Sequence, residues 1–162
     1  MAKKIDPLNK KQYGAVTTML TVSDIKGAAA FYQKAFGFTR RGPIMNGPDG
    51  KPMHAELTLR GITVMLGPES PQGRSAKSIG ATPVTLYLTT ENVDKTVAKA
   101  VKLGAQLIAP AMDQFWGDRT AVIADPEGNT WMIATHIAEP TPQEMKKKMA
   151  ELMKAQAAVS GK

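Results

Sequence analysis

The sequence predicts an α+β fold: two tandem βαβββ modules forming a curved mixed sheet around a cleft, followed by a C-terminal helix. Its repeat is the main reason. Leu20-Thr21-Val22-Ser23-Asp24-Ile25 is answered 68 positions later by Leu88-Thr89-Thr90-Glu91-Asn92-Val93. Gly61-Ile62-Thr63-Val64-Met65-Leu66 is answered 67 positions later by Gly128-Asn129-Thr130-Trp131-Met132-Ile133. This period exceeds the ~20–50 residues of solenoid repeats and suits a small strand–helix–strands unit. Within each copy, one segment has apolar residues at helical spacing and the others alternate with period two. Clusters of Gly, Pro and Asp separate them.

Residues 1–12 read as a loose polar lead-in. Ala15 to Val22 alternates as a strand. Asp24 to Phe36 places Ile25, Ala28, Ala29, Tyr32, Ala35 and Phe36 at helical spacing, with Ser23 or Asp24 to cap its start and Gly37 its end. Phe38–Met45 is expected as a strand, and Asn46-Gly47-Pro48-Asp49-Gly50 as a hairpin turn. Met53–Arg60 and Ile62–Gly67 complete the first module as strands joined at Gly61. Pro68–Pro83, rich in Gly, Pro and Ser, reads as a linker. Val84–Thr90 is a strand and Glu91–Leu103 a helix with Val93, Val97, Ala100 and Val101 inward. Ala105–Met112, Arg119–Ala124 and Thr130–Ile137 are strands. Thr141-Pro142-Gln143-Glu144 has the form of a capping box with Pro at the first helical position. The helix it opens carries Met145, Met149, Leu152, Met153 and Gln156 on one face, suited either to docking on its own domain or to covering a partner subunit. The division is thus a lead-in (1–13), a first module (14–68), a linker (69–82), a second module (83–138) and a C-terminal amphipathic helix (139–162), with one domain over about 14–138.

Composition narrows the function classes. A chain of 162 residues buries roughly 70% of its unfolded surface and needs no staples. It has no cysteine, which removes disulfides and thiolate chemistry and fits a cytoplasmic location. No apolar stretch is long enough for a membrane span, and Met1-Ala2-Lys3-Lys4 leads into no signal core, so no membrane association is expected. Of the net charge of +7, +3 falls in residues 1–12 and +2 in residues 139–162, leaving +2 for the body. Basic charge in the tails, rather than on a folded face with interleaved aromatics, argues against nucleic-acid binding.

Several stretches carry a family resemblance. The paired modules, Phe31-Tyr32-x-x-Ala35-Phe36-Gly37 and the turn Asp125-Pro126-x-Gly128 resemble the vicinal oxygen chelate superfamily of glyoxalase I, extradiol dioxygenases and bleomycin-resistance proteins. The resemblance spans about Ala15 to Ile137. Met53-His54-Ala55-Glu56-Leu57, Phe115-Trp116-Gly117-Asp118-Arg119 and Trp131-x-x-Ala134-Thr135-His136 look like its glyoxalase-like branch named for a phosphonate-operon protein. The resemblance implies a homodimer. It also implies a divalent metal held by His and Glu from the first and fourth strands of each module. Here those positions hold Thr17, Met65, Thr85 and Met132. Thioethers and neutral hydroxyls suit Zn²⁺, Ni²⁺ or Fe²⁺ poorly, so no metal and no cofactor are expected, and the four side chains suit a half-apolar ligand pocket or plain core packing.

The remaining polar residues supply the chemistry. Alternation sends His54, Glu56, Thr58 and Arg60 to one face of their strand, away from Ala55, Leu57 and Leu59. His54 and Glu56 suit an acid–base pair or two hydrogen-bonding anchors; a wet polar face or a self-neutralising ladder is the plainer alternative. His136 shares parity with Met132, and Tyr87 with Thr85. Trp116 suits covering a ligand or plugging the domain edge. Arg119 suits holding a carboxylate or phosphonate, or pairing with Asp118 or another acid. Three functions follow: a protein that binds a small organic ligand without metal, a metal-independent isomerase or lyase using His54 and Glu56, and a metal-dependent lactoylglutathione-lyase-like enzyme.

Overall fold

A computed structural model describes residues 6–160, with side chains described as far as Lys154. The first five residues of the expected lead-in and the side chain of Gln156 lie outside the described residues. In the first module, β1 (Thr18–Val22) leads into α1 (Ile25–Phe36), then β2 (Thr39–Arg40), β3 (Met45–Asn46), β4 (Pro52–Leu59) and β5 (Ile62–Pro68). A short α2 (Ala76–Ile79) lies between the modules. The second repeats the plan with β6 (Thr85–Thr89), α3 (Val93–Lys102), β7 (Gln106–Asp113), β8 (Asp118–Ala124) and β9 (Thr130–His136), and α4 (Pro142–Ser160) follows.

Each module builds its own mixed sheet, in the orders β1-β5-β4-β2 and β6-β9-β8-β7. The first and last strands of each module pair parallel, Thr18 opposite Val64 and Thr85 opposite Thr130, and the rest are antiparallel. The sheets are therefore two halves rather than one hydrogen-bonded surface.

Local chemistry explains most boundaries. Asp24 caps α1 by accepting from the Gly27 amide, and Asn92 caps α3 by accepting from Lys95. The expected Phe38–Met45 strand is split in two because Gly42 takes a positive φ of 73° and Pro43 has no N–H to pair. The tight β4–β5 turn is Arg60-Gly61, both left-handed at φ 47° and 80°, the backbone a two-residue hairpin requires. That turn removes Arg60 from the polar face assigned to it by alternation. Its guanidinium instead reaches the Thr89 carbonyl and hydroxyl in the second module. β7 is irregular on both sides of Ala109, next to Pro110.

The linker is more ordered than its composition suggests. Ser75 is fully buried, donating from its amide and hydroxyl to Glu69 at 2.8 Å each, and the Lys77 amide donates to the Glu127 carbonyl. α4 has the predicted capping box, with the Thr141 amide donating to Glu144 at 2.8 Å and the Glu144 amide donating back to Thr141 at 3.3 Å. It makes no substantial packing contact with another helix or strand, and Met149, Leu152 and Met153 are exposed. Among the described residues it only borders the domain, with Lys148, Glu151 and Leu152 facing Asp113, Gln114 and Phe115 across an open groove.

One core serves both modules, because α1 packs against α3 and the second module's Trp131 packs among Tyr32, Phe36 and Phe38 of the first. The Asp125-Pro126-Glu127-Gly128 turn lies at this boundary. Buried Asp125 accepts from the Tyr32 hydroxyl, the Trp131 indole and the Glu127 and Asn129 amides. Buried Glu127 accepts from the amide and hydroxyl of Ser23.

Candidate functional site

Strand alternation turns one face of each sheet away from its helix, and each such face centres on a carboxylate. On the first, Glu56 of β4 lies opposite Met65 of β5. The Tyr13 hydroxyl donates to Glu56 Oε1 at 2.6 Å, His54 Nε2 lies 3.3 Å from that oxygen, and Arg41 Nη1 lies 3.3 Å from Oε2. Arg41 arrives there because the strand break just after it leaves its amide donating to the Glu56 carbonyl at 2.8 Å. Burial would raise the Glu56 carboxyl, but the Tyr13 and His54 hydrogen bonds and the Arg41 charge outweigh it and hold it below the usual glutamate value. Glu56 is an ionised anchor.

The second face centres on Asp118, which opens β8 opposite His136 at the end of β9. The Tyr87 hydroxyl donates to Oδ2 at 2.6 Å, the Trp116 indole N–H donates to the same oxygen at 3.1 Å, and His136 Nδ1 lies 2.9 Å from Oδ1. The hydrogen bonds from Tyr87 and His136 lower the Asp118 carboxyl despite partial burial. Gly117 shapes this loop with φ 100°, and its carbonyl accepts from the Ile137 and Ala138 amides. The same triplet of tyrosine, carboxylate and histidine thus occurs once per module.

The other candidates divide between these faces. Thr58 and Met65 join Glu56, Thr58 donating to the Thr39 carbonyl at 3.4 Å. Thr17 precedes β1, its buried hydroxyl oxygen without a hydrogen-bond partner. Met132 lies beside Tyr87 in the ladder, and exposed Thr85 begins β6. No hydrogen bond or ion pair joins the Glu56 and Asp118 clusters among the described residues. Arg119 is elsewhere: alternation turns it to the opposite face from Asp118, where it donates to Asp94 of α3 at 2.9 and 3.1 Å and to Asp113 of β7 at 2.8 Å. It pairs with carboxylates of its own chain, the second of the two roles its sequence left open, with Asp94 and Asp113 as the acids.

The gap between the modules is also not the one expected. A cleft of about 380 Å³ runs between the sheets, but core-facing side chains line it, among them Phe38, Val64, Leu86, Leu88 and Trp131. Of the polar residues singled out from sequence, Tyr87 and Arg60 border it. Among the described residues lining it the one cation, Arg60, is committed to Thr89.

The model of the Glyoxalase/Bleomycin resistance protein/Dioxygenase superfamily matches residues 14–133. The chain belongs to this superfamily. An uncharacterized protein of Mycobacterium bovis is 39% identical over 141 residues, covering 84% of this chain and 92% of that one. Among solved structures, a glyoxalase/bleomycin resistance protein/dioxygenase family enzyme from Burkholderia phytofirmans PsJN superposes with a TM-score of 0.59 at 23% identity, covering 78% of this chain and 98% of that one. TioX from Micromonospora sp. ML1 gives 0.57 at 23% identity, covering 79% and 100%. At these identities the structural likeness concerns the fold.

A divalent ion is the group the superfamily resemblance implies, and the residues here do not fit it. The four corner positions offer two hydroxyls and two thioethers, with no charge to offset dehydration of a dication. Among the described residues no three His, Asp or Glu converge as ligands.

Several members of the two clusters escape a sequence reading. Tyr13 lies in a segment that looks like a solvated tail, and Arg41 in what looks like an unbroken strand. Asp118 looked only like a possible partner for its neighbour Arg119. Alternation gave the usable signal for Asp118, since it shares strand parity with Thr120 and Val122 and is paired with His136.

Proposed function

We propose that this glyoxalase-fold protein binds a small organic ligand on the Glu56 face of its first module, without a divalent metal, and that a second copy closes the face. One observation carries the reading: an ionised carboxylate ringed by Tyr13, His54 and Arg41, on a sheet whose metal-position side chains are Thr17 and Met65. Such convergent polar groups beside apolar thioether suit orienting an organic molecule. The inter-module cleft offers no uncommitted charge for this. Exposed Met19 and Met45 on the first face, and Tyr87, Met112 and Trp116 on the second, support covering by a second copy. The branch named for a phosphonate-operon protein remains the reading of the Phe115–Arg119 and His54–Glu56 stretches.

The test is a thermal-shift screen of small organic acids, alcohols and amides, run with and without a chelator and paired with metal analysis. Stabilisation that survives chelation, and is lost in Glu56→Gln, is the expected result. A stoichiometric divalent ion whose removal abolishes ligand stabilisation would overturn the proposal.

A metal-independent isomerase or lyase is the second reading, favoured by the 3.3 Å approach of His54 to Glu56. Against it stands the lowered Glu56 carboxyl, since a general base works best with a pKa near the operating pH. Turnover lost in a folded His54→Ala variant would favour this second reading over simple binding.

A further inference from the structure

The residues just ahead of β1 sit in the first module's polar face as a ligand would. The Gln12 carbonyl oxygen accepts from Arg41 Nη1 and Nη2, each at 3.0 Å, and from Thr63 Oγ1 at 3.1 Å. A guanidinium fork and a hydroxyl converging on one oxygen form a receptor better matched to a carboxylate than to a neutral amide. Tyr13 follows at once, its hydroxyl on Glu56 at 2.6 Å and its ring centroid 5.5 Å from the Arg41 guanidinium carbon. Little else holds this segment. The other described side chains before it are exposed, and its remaining hydrogen bonds are local turns such as Gln12 N to Asn9 O.

We propose that the Glu56 site takes a small phenolic carboxylate, and that Gln12-Tyr13 fills the place of this ligand as a displaceable stand-in. The proposal rests on reading the Glu56 face as the ligand site. Covalent structure sets the size. Between the Gln12 carbonyl carbon and the phenol ring lie the nitrogen, Cα and Cβ of Tyr13. Para-hydroxyphenylbutanoate has the same number of links, as methylenes, between its carboxylate carbon and its ring. Its carboxylate would meet Arg41 and Thr63 with a full charge in place of a carbonyl dipole. Its hydroxyl would donate to Glu56 and its ring would take the position under the guanidinium.

Calorimetric titration of para-hydroxyphenylbutanoate into the full chain and its Tyr13→Ala variant tests this. A competing segment lowers apparent affinity by the fraction of sites it occupies, so the variant should bind about tenfold more tightly. Phenylbutanoate, which lacks the hydroxyl, should bind the variant at least about tenfold more weakly than the phenol does. In the unaltered chain, saturating phenol should raise deuterium uptake across residues 6–14, a readout independent of how well the variant folds. Equal affinities with unchanged uptake, or no binding of the phenol to either protein, would overturn the inference. If other screen hits bind through Glu56 while this phenol does not, the ligand class falls and the binding function stands. If nothing binds either protein, both fall.

Discussion

The phenol of Tyr32, in the first module, donates to the buried carboxylate of Asp125, in the second, at 2.6 Å. Burial and the nearby Asp125 charge hold that phenol well above the usual tyrosine value, so it remains a donor throughout the working pH range. The Trp131 indole donates to the same carboxylate at 2.9 Å.

Removing that acceptor should therefore destabilise both modules together. Asp125→Ala is expected to cost about 3 kcal/mol or more, because it strands buried donors on each side of the boundary. Tyr32→Phe, which removes one donor and leaves the carboxylate its others, should cost about 1 kcal/mol. Urea unfolding measures both. Near-equal losses for the two variants would refute the hub role of Asp125.

Gly117 admits no side chain. A Cβ there would lie 2.0 Å from the Ala138 carbonyl oxygen, at a backbone φ of 100°. Gly117→Ala should cost roughly 2 kcal/mol or more and release Trp116 from Asp118. Tryptophan emission should shift with it. An unchanged spectrum and midpoint would contradict the geometry.

Acid should weaken the second face. Asp118 has a lowered carboxyl, so its contribution is fully present above the unfolded aspartate value of about 3.9 and is lost as pH falls through the lower folded value. The stability gap between the unaltered chain and Asp118→Asn should be widest near neutrality and close below about pH 4. Urea midpoints across that range measure it, and a gap constant from neutral to acid pH would count against the assignment.

Truncation before Thr141 removes a helix that, among the described residues, makes little contact with the sheets. The unfolding midpoint of the remaining chain should move by no more than about 2 °C, as for surface changes generally. A larger fall at protein concentrations where the chain is monomeric would show that α4 supports the domain after all.

Arg119→Ala should leave ligand affinity at the Glu56 face unchanged, because its guanidinium is turned to Asp94 and Asp113. A tenfold loss of affinity would restore it to the binding machinery.

The order of the elements was legible because helical spacing, strand alternation and the repeat are local signals. Alternation also put His54 on the face of Glu56, and His136 on the face of Met132. It failed where a single residue changes the count: Arg60 leaves its strand at a left-handed turn, and Asp118 rather than Arg119 takes the polar side. The placement of the modules was not legible either. It depends on Tyr32 and Trp131 meeting Asp125 across a long sequence separation, and no periodicity reports that. Tyr13 is the plainest example, since a short polar segment gives no sign of the surface on which it will fold.

Pro43 and Pro110 stand 67 residues apart, at matching points on the outer margins of the two sheets. Neither has an amide hydrogen to offer a neighbouring strand, and irregular backbone accompanies each. Any chain that lengthens one of these sheets must then approach along Thr18–Val22 or Thr85–Thr89. Each sheet therefore has one receptive margin, and strand addition can lengthen it in one direction alone.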